Sequence, residues 1–283
     1  MNGKTVLVIG GTGAMGVYLV PELASMGCKV HVVSLDDVKS EDPDIVYYKA
    51  NAKDNKYLGE LLQNKYDAIV DFMLYSTKEF SDRYEMLLNN TGHYIYLSSY
   101  RVYADRMPIT EDTPRLLDVS DDKKFLETDD YSLIKARQEN ILTVSGFNNW
   151  TIVRPVITYS KFFKVPLVTL EANTVVYRAQ KGLTVFLPEE ALPVTAAVSW
   201  AGDTAKMFAR LILNPATCRE AYTQTTAERH TWKEIAEFYR EFIGLEYKTV
   251  DTKTFLEFFG STGGATYQLY YDRLCNLYQQ KGV

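Results

Sequence analysis

A chain of 283 residues, 46% hydrophobic and 24% charged, has the make-up of an ordinary soluble globular protein, with length for one large domain or a core domain and a smaller partner. Its net charge of -5 argues against a broad basic surface for nucleic acid. Three scattered cysteines (Cys28, Cys218, Cys275) and three separated histidines (His31, His93, His230) suggest neither a disulfide framework nor a metal site, and no apolar run approaches membrane-spanning length, so a cytoplasmic protein without metal is expected.

The first strand, "TVLVIG", runs into Gly10-Gly11-Thr12-Gly13-Ala14-Met15-Gly16 and an amphipathic helix, Ala14–Met26, that closes at Gly27. Strand, glycine-rich loop and helix in that order make a phosphate cradle. Gly10 permits the tight turn, Gly13 lets the backbone approach a pyrophosphate, and Gly16 lets helix and strand pack closely. The helix N-terminus adds N–H groups and a positive dipole. The glycines read both as GxGxxG (Gly11, Gly13, Gly16) and as GxxGxxG (Gly10, Gly13, Gly16), and the loop alone does not separate the two. The second strand, "KVHVVSL", ends near Ser34, and Asp36 follows at the distance of a carboxylate on the adenosine ribose. That carboxylate would repel a 2′-phosphate, although Lys39 could still reach one. NAD is expected rather than NADP.

Strand "DIVYYKA", helix Asn55–Asn64, strand "YDAIVDFML", helix Ser81–Asn90, strand "HYIYLSS", helix Tyr131–Ser145 and strand "WTIVRPVIT" continue the alternation. Short apolar runs between helical stretches predict an α/β fold, a Rossmann-type doubly wound parallel sheet. The helix "YSLIKARQEN" sets Tyr131 and Lys135 four residues apart, on one face, so the ammonium can lie beside the phenol. A positive neighbour favours phenolate, which makes the tyrosine a usable acid/base for hydride chemistry at an alcohol carbon. A serine at the end of the fifth strand, Ser98 or Ser99, can hold the substrate oxygen in line.

After Ser160 the rhythm changes. Lys161–Gly182 reads as helix, Leu183–Trp200 as irregular or short-strand material, Ala201–Leu213 as helix, and "REAYTQTT" as a short strand. Two or three helices then follow: Thr231–Ile243, with Glu234 at capping-box spacing, Lys253–Phe259, and roughly Thr266–Gln280. The expected division is residues 1–160 with 195–226 as the dinucleotide-binding part, and 161–194 with 227–283 as a smaller, mainly helical substrate-binding part. Trp200, Trp232, Phe238, Phe255, Phe258 and Phe259 fall at helical spacings and read as core.

The Gly10–Gly16 loop, Ser99-x-x-Val102-Tyr103, Tyr131-x-x-x-Lys135 and Arg154-Pro155, in that order, resemble the extended short-chain dehydrogenase/reductase family in its NAD-dependent epimerase/dehydratase branch. The resemblance covers essentially the whole chain, is strongest up to Ser160, and favours the GxxGxxG spacing. It implies that Tyr131 is the acid/base, that Lys135 binds the nicotinamide ribose and tunes Tyr131, and that Ser99, two positions ahead of the Val-Tyr pair, completes the triad. It implies cofactor contacts from Gly10, Gly13, Ala14, Met15, Gly16, Ser34, Asp36 and Pro155 as well as from Tyr131 and Lys135. "KANAKD" is similar to the family's adenine-contacting segment, which implies Asn51 and Ala52 at the adenine, with Asn51 in place of the usual acid. Phe72 and Met73 would flank the cofactor.

Dehydratases of this family carry an acidic pair directly after the catalytic Ser/Thr, where this chain has Tyr100-Arg101. Arginine cannot serve as that acid or base. The expectation is therefore an NAD(P)-dependent epimerase or oxidoreductase acting on a carbinol of a sugar-like, nucleotide-linked substrate. Arg178 and Arg273 are candidates for its diphosphate, and the family's habit of pairing through two helices per subunit implies a homodimer. The alternative is a non-catalytic member of the fold that senses dinucleotide or binds RNA or protein. Such members commonly lose the Tyr/Lys pair, which is present here.

Overall fold

Val6, Leu7, Val8 and Ile9 are all fully buried, so successive side chains are covered on both faces, as a central strand of a parallel sheet requires. The structure, a computed structural model, describes residues 1–104 and 108–260, with side chains as far as Glu257. In chain order the elements are β1 (Thr5–Ile9), α1 (Gly16–Ser25), β2 (Lys29–Ser34), β3 (Ile45–Lys49), α2 (Asn55–Leu62), β4 (Ala68–Asp71), α3 (Thr77–Ser81), α4 (Tyr84–Asn89) and β5 (Tyr94–Leu97). A 3-10 turn at Tyr100–Val102 leads to α5 (Leu116–Val119), α6 (Lys123–Leu126), α7 (Tyr131–Val144), β6 (Trp150–Pro155) and β7 (Ile157–Tyr159). There follow α8 (Ala172–Gln180), β8 (Val185–Pro188), β9 (Thr195–Ala196), β10 (Val198–Trp200), α9 (Ala201–Leu211), β11 (Ala221–Gln224), β12 (His230–Thr231), α10 (Trp232–Ile243), β13 (Tyr247–Val250) and α11 (Thr252–Gly260).

The main sheet has seven parallel strands in the order β11-β6-β5-β4-β1-β2-β3. Register pairs Ile9 with Asp71, so the loops leaving β1 and β4 emerge side by side where the strand order reverses, the usual ligand position in such sheets. Leu7, Ile9 and Ile69 bury on one face with Leu58, Phe80, Leu87 and Leu142 from α2, α3, α4 and α7. Val6, Val8 and Val70 bury on the other with Leu19 and Leu23 of α1 and Ala205 and Phe208 of α9. Each such side chain contributes about 1.5–3 kcal/mol when fully buried, which fixes the register of every strand.

Three elements depart from expectation for identifiable reasons. The helix expected over Ser81–Asn90 starts earlier, at Thr77, because Ser76 and Glu79 form a reciprocal capping box. It breaks at Arg83, whose guanidinium turns inward to the carbonyls of Ala52, Lys53 and Glu79. The helix expected over 161–182 is confined to α8; Pro166 disfavours helical backbone at Val165, and Val168 takes a positive φ of 57°. "WTIVRPVIT" divides into β6 and β7 around Val156. The helix expected over Thr266–Gln280 lies outside the described residues.

The described residues fall into two compact units, Met1–Ser160 with Ser199–Thr226, and Lys161–Val198 with the residues from Ala227 on. The second unit pairs β13 with β8 in parallel and β12 with β9 antiparallel, and its α10 starts at the Thr231–Glu234 capping box and ends at Gly244 (φ 67°). Trp232 and Phe255 are buried there, whereas Phe238 is 38% exposed. Trp200, also expected in the core, is 39% exposed and stacks edge-on against Tyr18. The side chains of Phe258 and Phe259 lie outside the described residues. Among the described residues no helix is long and apolar enough to cross a membrane, and no group of three His, Cys, Asp or Glu is placed to hold a metal ion.

Candidate active site

The three glycines of the GxxGxxG reading have three different reasons to be glycine. Gly10 has φ 75°, so it turns the chain out of β1 in a conformation costly for other residues. A Cβ on Gly16 would collide with the Gly11 carbonyl, so that position is the close approach of helix to loop. A Cβ on Gly13 would meet only the Gly10 carbonyl oxygen, at 3.4 Å; this is the open side of the loop. Gly11 serves packing, since a Cβ there would press on Val32 and Val8. Ala14 and Met15 complete the turn into α1, whose N-cap, Met15, makes no side-chain cap. The Val17 and Tyr18 N–H groups already donate to the Gly13 and Met15 carbonyls, so what this turn offers an anion is chiefly the positive end of the helix dipole.

Beside this loop lies a cleft of about 280 Å³ lined by Gly10, Ser34, Asp36, Asn51, Ala52 and Met73, among others. The Ser34 hydroxyl sits 2.6 Å from that of Thr12 and 3.2 Å from the Asp36 carboxylate, which ties the tip of β2 to the glycine loop. Asn51 is exposed, and its Oδ1 accepts the Lys53 N–H in a turn, while Ala52 is buried. Met73 borders the cleft, but Phe72 turns the other way and packs edge-on against Phe208. Pro155 ends β6 opposite Gln224 of β11.

The fifth strand delivers two serines with separate duties. Ser98 is 1% exposed and donates to the Glu139 carboxylate at 2.5 Å. Ser99 accepts the Arg101 N–H at 3.2 Å, and its hydroxyl favours ionisation of the nearby Tyr131 phenol. Tyr131 begins α7 just after Asp130, which caps the helix by accepting the Ser132 N–H. Burial pushes the Tyr131 phenol above its ordinary range, opposed by the Ser99 hydroxyl and the Arg101 charge. Lys135, 1% exposed, donates to the Leu97 carbonyl at 2.6 Å, with its ammonium 5.9 Å from the centre of the Tyr131 ring. Burial lowers it to about 8, against the pull of the Asp71 and Glu139 carboxylates.

Sequence reading passed over the groups beneath this triad. Asp71, 2% exposed at the end of β4, accepts from the Met73 N–H and from the hydroxyls of Tyr94 and Tyr75. Burial still raises its carboxyl, with those hydrogen bonds and Lys135 acting the other way. Glu139 is fully buried and binds Arg154 through both oxygens (2.9 and 2.8 Å) and Arg115 at 3.0 Å. Although burial works against the Arg154 charge, Glu139 holds its guanidinium above the ordinary range. The Tyr96 phenol donates to Gln138, which donates to the Tyr75 carbonyl at 2.7 Å. One signal was available: Tyr131, Lys135 and Glu139 stand at i, i+4 and i+8, on one helix face. Of the proposed substrate residues, Arg178 donates to the Thr184 carbonyl at 2.7 Å within its own unit, and Arg273 lies outside the described residues.

Comparison with known proteins identifies the family and the fold. The model of the NAD dependent epimerase/dehydratase family matches residues 6–214. No curated protein matches significantly in sequence. Among solved structures, an epimerase from Methanothermobacter thermautotrophicus is 17% identical with a TM-score of 0.67, over 88% of this chain and 80% of its own. The enzyme WbmH of Bordetella bronchiseptica, in complex with NAD+, is 16% identical with a TM-score of 0.66, over 87% and 85%. A UDP-N-acetylglucosamine 4-epimerase of Methanobrevibacter ruminantium M1, in complex with UDP-N-acetylmuramic acid, is 16% identical with a TM-score of 0.66, over 88% and 86%. At such identities the likeness is one of fold.

Proposed function

Because the chain belongs to the NAD dependent epimerase/dehydratase family, we propose that it is an NAD-dependent epimerase or oxidoreductase acting at a carbinol of a sugar-like, nucleotide-linked substrate. The observation that carries this reading is the meeting of Ser99, Tyr131 and Lys135 at the carboxyl ends of the strands, in the unit that also holds the glycine loop. The residues present fit a dinucleotide. Gly13 leaves room for a pyrophosphate, the positive end of α1 follows it directly in the chain, and the cleft walled by Ser34, Asp36 and Ala52 suits an adenosine. When bound, NAD supplies reversible oxidation and reduction at the substrate carbon.

The chain's own residues do the rest. Ser99 holds the substrate hydroxyl in line with the Tyr131 phenol oxygen, which takes its proton on oxidation and returns one on reduction. Lys135, fixed between the Leu97 carbonyl and two buried carboxylates, keeps a positive charge beside the ribose and the phenol. Arg101 occupies the position where dehydration needs an acid or base, and its exposed guanidinium cannot perform that step. The bound nucleotide sugar of the Methanobrevibacter structure supports a nucleotide-linked substrate.

The test is to denature the purified protein and identify what it releases by mass spectrometry. Stoichiometric NAD is the result expected of an epimerase that recycles its own reducing equivalent, and a co-released nucleotide sugar would name the substrate class. Free exchange of NADH in titration marks a net reductase instead. If neither NAD nor NADH binds, the proposal fails.

A further inference from the structure

Two cations stand almost equally near the Tyr131 ring, and they differ in what neutralises them. The Lys135 ammonium, 5.9 Å from the ring centre, is committed to the Leu97 carbonyl and is faced by the buried carboxylates of Asp71 and Glu139. The Arg101 guanidinium, 5.6 Å from the same centre, forms no ion pair among the described residues. Elsewhere in this unit Glu111 accepts the Thr223 N–H, and Glu139 is shared by Arg115 and Arg154. Arg101 is also fixed at its root. Its backbone N–H donates to the Ser99 hydroxyl at 3.2 Å, within the 3-10 turn that follows β5.

We propose that Arg101 is a positioning residue of this site, whose guanidinium, held over the face of Tyr131, supplies the uncompensated positive charge that draws the phenol towards phenolate. The inference rests on the proposed role of Tyr131 and extends it. A cation beside an aromatic face is attracted to it, and a phenolate strengthens that attraction. Solvent screens an exposed guanidinium but does not cancel it; a unit charge at about 6 Å with partial screening moves a neighbouring acid by about one pH unit. Among the described residues, the other titratable groups around the phenol are Tyr96, from β5, and Lys135, from α7, with Asp71 and Glu139 behind the lysine. Tyr96 is bonded to Gln138 and stays protonated, since burial holds it well above its ordinary range. Among the described residues, Arg101 is thus the cation at this ring that no carboxylate pairs with. The position is the one at which dehydration would need an acid, so the same residue that removes one chemistry assists the other.

The experiment is an NMR titration of NAD-saturated protein carrying 13C at the tyrosine Cζ, with the Tyr131 signal identified by its loss in Tyr131→Phe. Wild type is compared with Arg101→Met, which keeps the chain length and the backbone N–H to Ser99 but removes the charge, and with Arg101→Lys. The result expected is a Tyr131 midpoint raised by about one pH unit in Arg101→Met and largely restored in Arg101→Lys. An unmoved midpoint in Arg101→Met, or an equal shift in both variants, overturns the proposal. Because Arg101 is exposed, its variants should fold, and unchanged signals from the remaining tyrosines would verify this. Turnover retained in Tyr131→Phe would instead remove the proposed acid/base, whatever the titration shows.

Discussion

Replacing Glu139 by Gln leaves two buried or half-buried guanidiniums, those of Arg154 and Arg115, without the carboxylate they share, and leaves one amide oxygen to serve them and the Ser98 hydroxyl. Breaking one side of a buried ion pair costs about 3–5 kcal/mol because the remaining charge stays desolvated. Glu139→Gln is therefore expected to lose about 3 kcal/mol in urea unfolding, with Leu97 and Ser99, the two neighbours of Ser98, displaced as a consequence. Asp36 has a different kind of role. It is exposed and tied only to Ser34, so Asp36→Ala should leave stability unchanged within about 0.5 kcal/mol. Its loss removes the like charge that disfavours a 2′-phosphate. The affinity ratio of NADP to NAD, measured by titration, should rise roughly tenfold.

In the loop between β1 and α1, neighbouring glycines separate folding from binding. Gly16→Val drives a side chain into the Gly11 backbone and is expected to destabilise the protein by several kcal/mol, on the order of an overpacked core. Gly13→Val meets only one carbonyl oxygen, so the melting temperature should stay near that of the wild type while NAD affinity falls by tenfold or more. Thermal unfolding beside coenzyme titration of the two variants checks the distinction. This loop was legible in the sequence because its chemistry is local: strand, turn and helix are contiguous, and each glycine's reason lies within a few residues. The same holds for Tyr131 and Lys135 on one helix face and for the Thr231–Glu234 cap. What escaped is what depends on residues distant in sequence. Ser98 and Ser99 are indistinguishable by type, and only Glu139, 41 residues from Ser98, draws one of them inward. Arg83 ends α3 by reaching carbonyls 30 and 31 residues away. In the sequence Lys135 reads only as a partner for the Tyr131 phenol, but the fold also bonds it to the Leu97 carbonyl, in the field of the Asp71 and Glu139 carboxylates.

Across the sheet as a whole, His93 joins three segments that the sequence keeps far apart. It is 3% exposed, its Nδ1 accepts the Leu213 N–H at 3.1 Å, and its Nε2 therefore donates to the Thr151 hydroxyl, which donates to the Thr217 carbonyl. Leu213 has a positive φ of 60°, so this bond also holds a conformation unfavourable for leucine. Burial lowers His93 from 6.5 to about 4, so between those values the unfolded chain binds a proton that the folded chain refuses. Its contribution is fully present above pH 6.5 and is lost as pH falls towards 4, by up to about 3 kcal/mol. Urea unfolding across that range should show the wild type losing this much relative to His93→Gln, whose side chain does not titrate.

In its proposed role, Tyr131 would take the substrate's proton where bound NAD would supply oxidation at the neighbouring carbon. The most direct test is the rate of NADH absorbance growth when NAD-loaded protein is mixed with nucleotide sugars, compared between wild type and Tyr131→Phe. The expected result is a substrate-dependent rise in the wild type that slows by about 100-fold or more in the variant, with its fold and coenzyme affinity preserved. Equal rates in the two proteins would contradict the role given to Tyr131, and with it the hydride-transfer site.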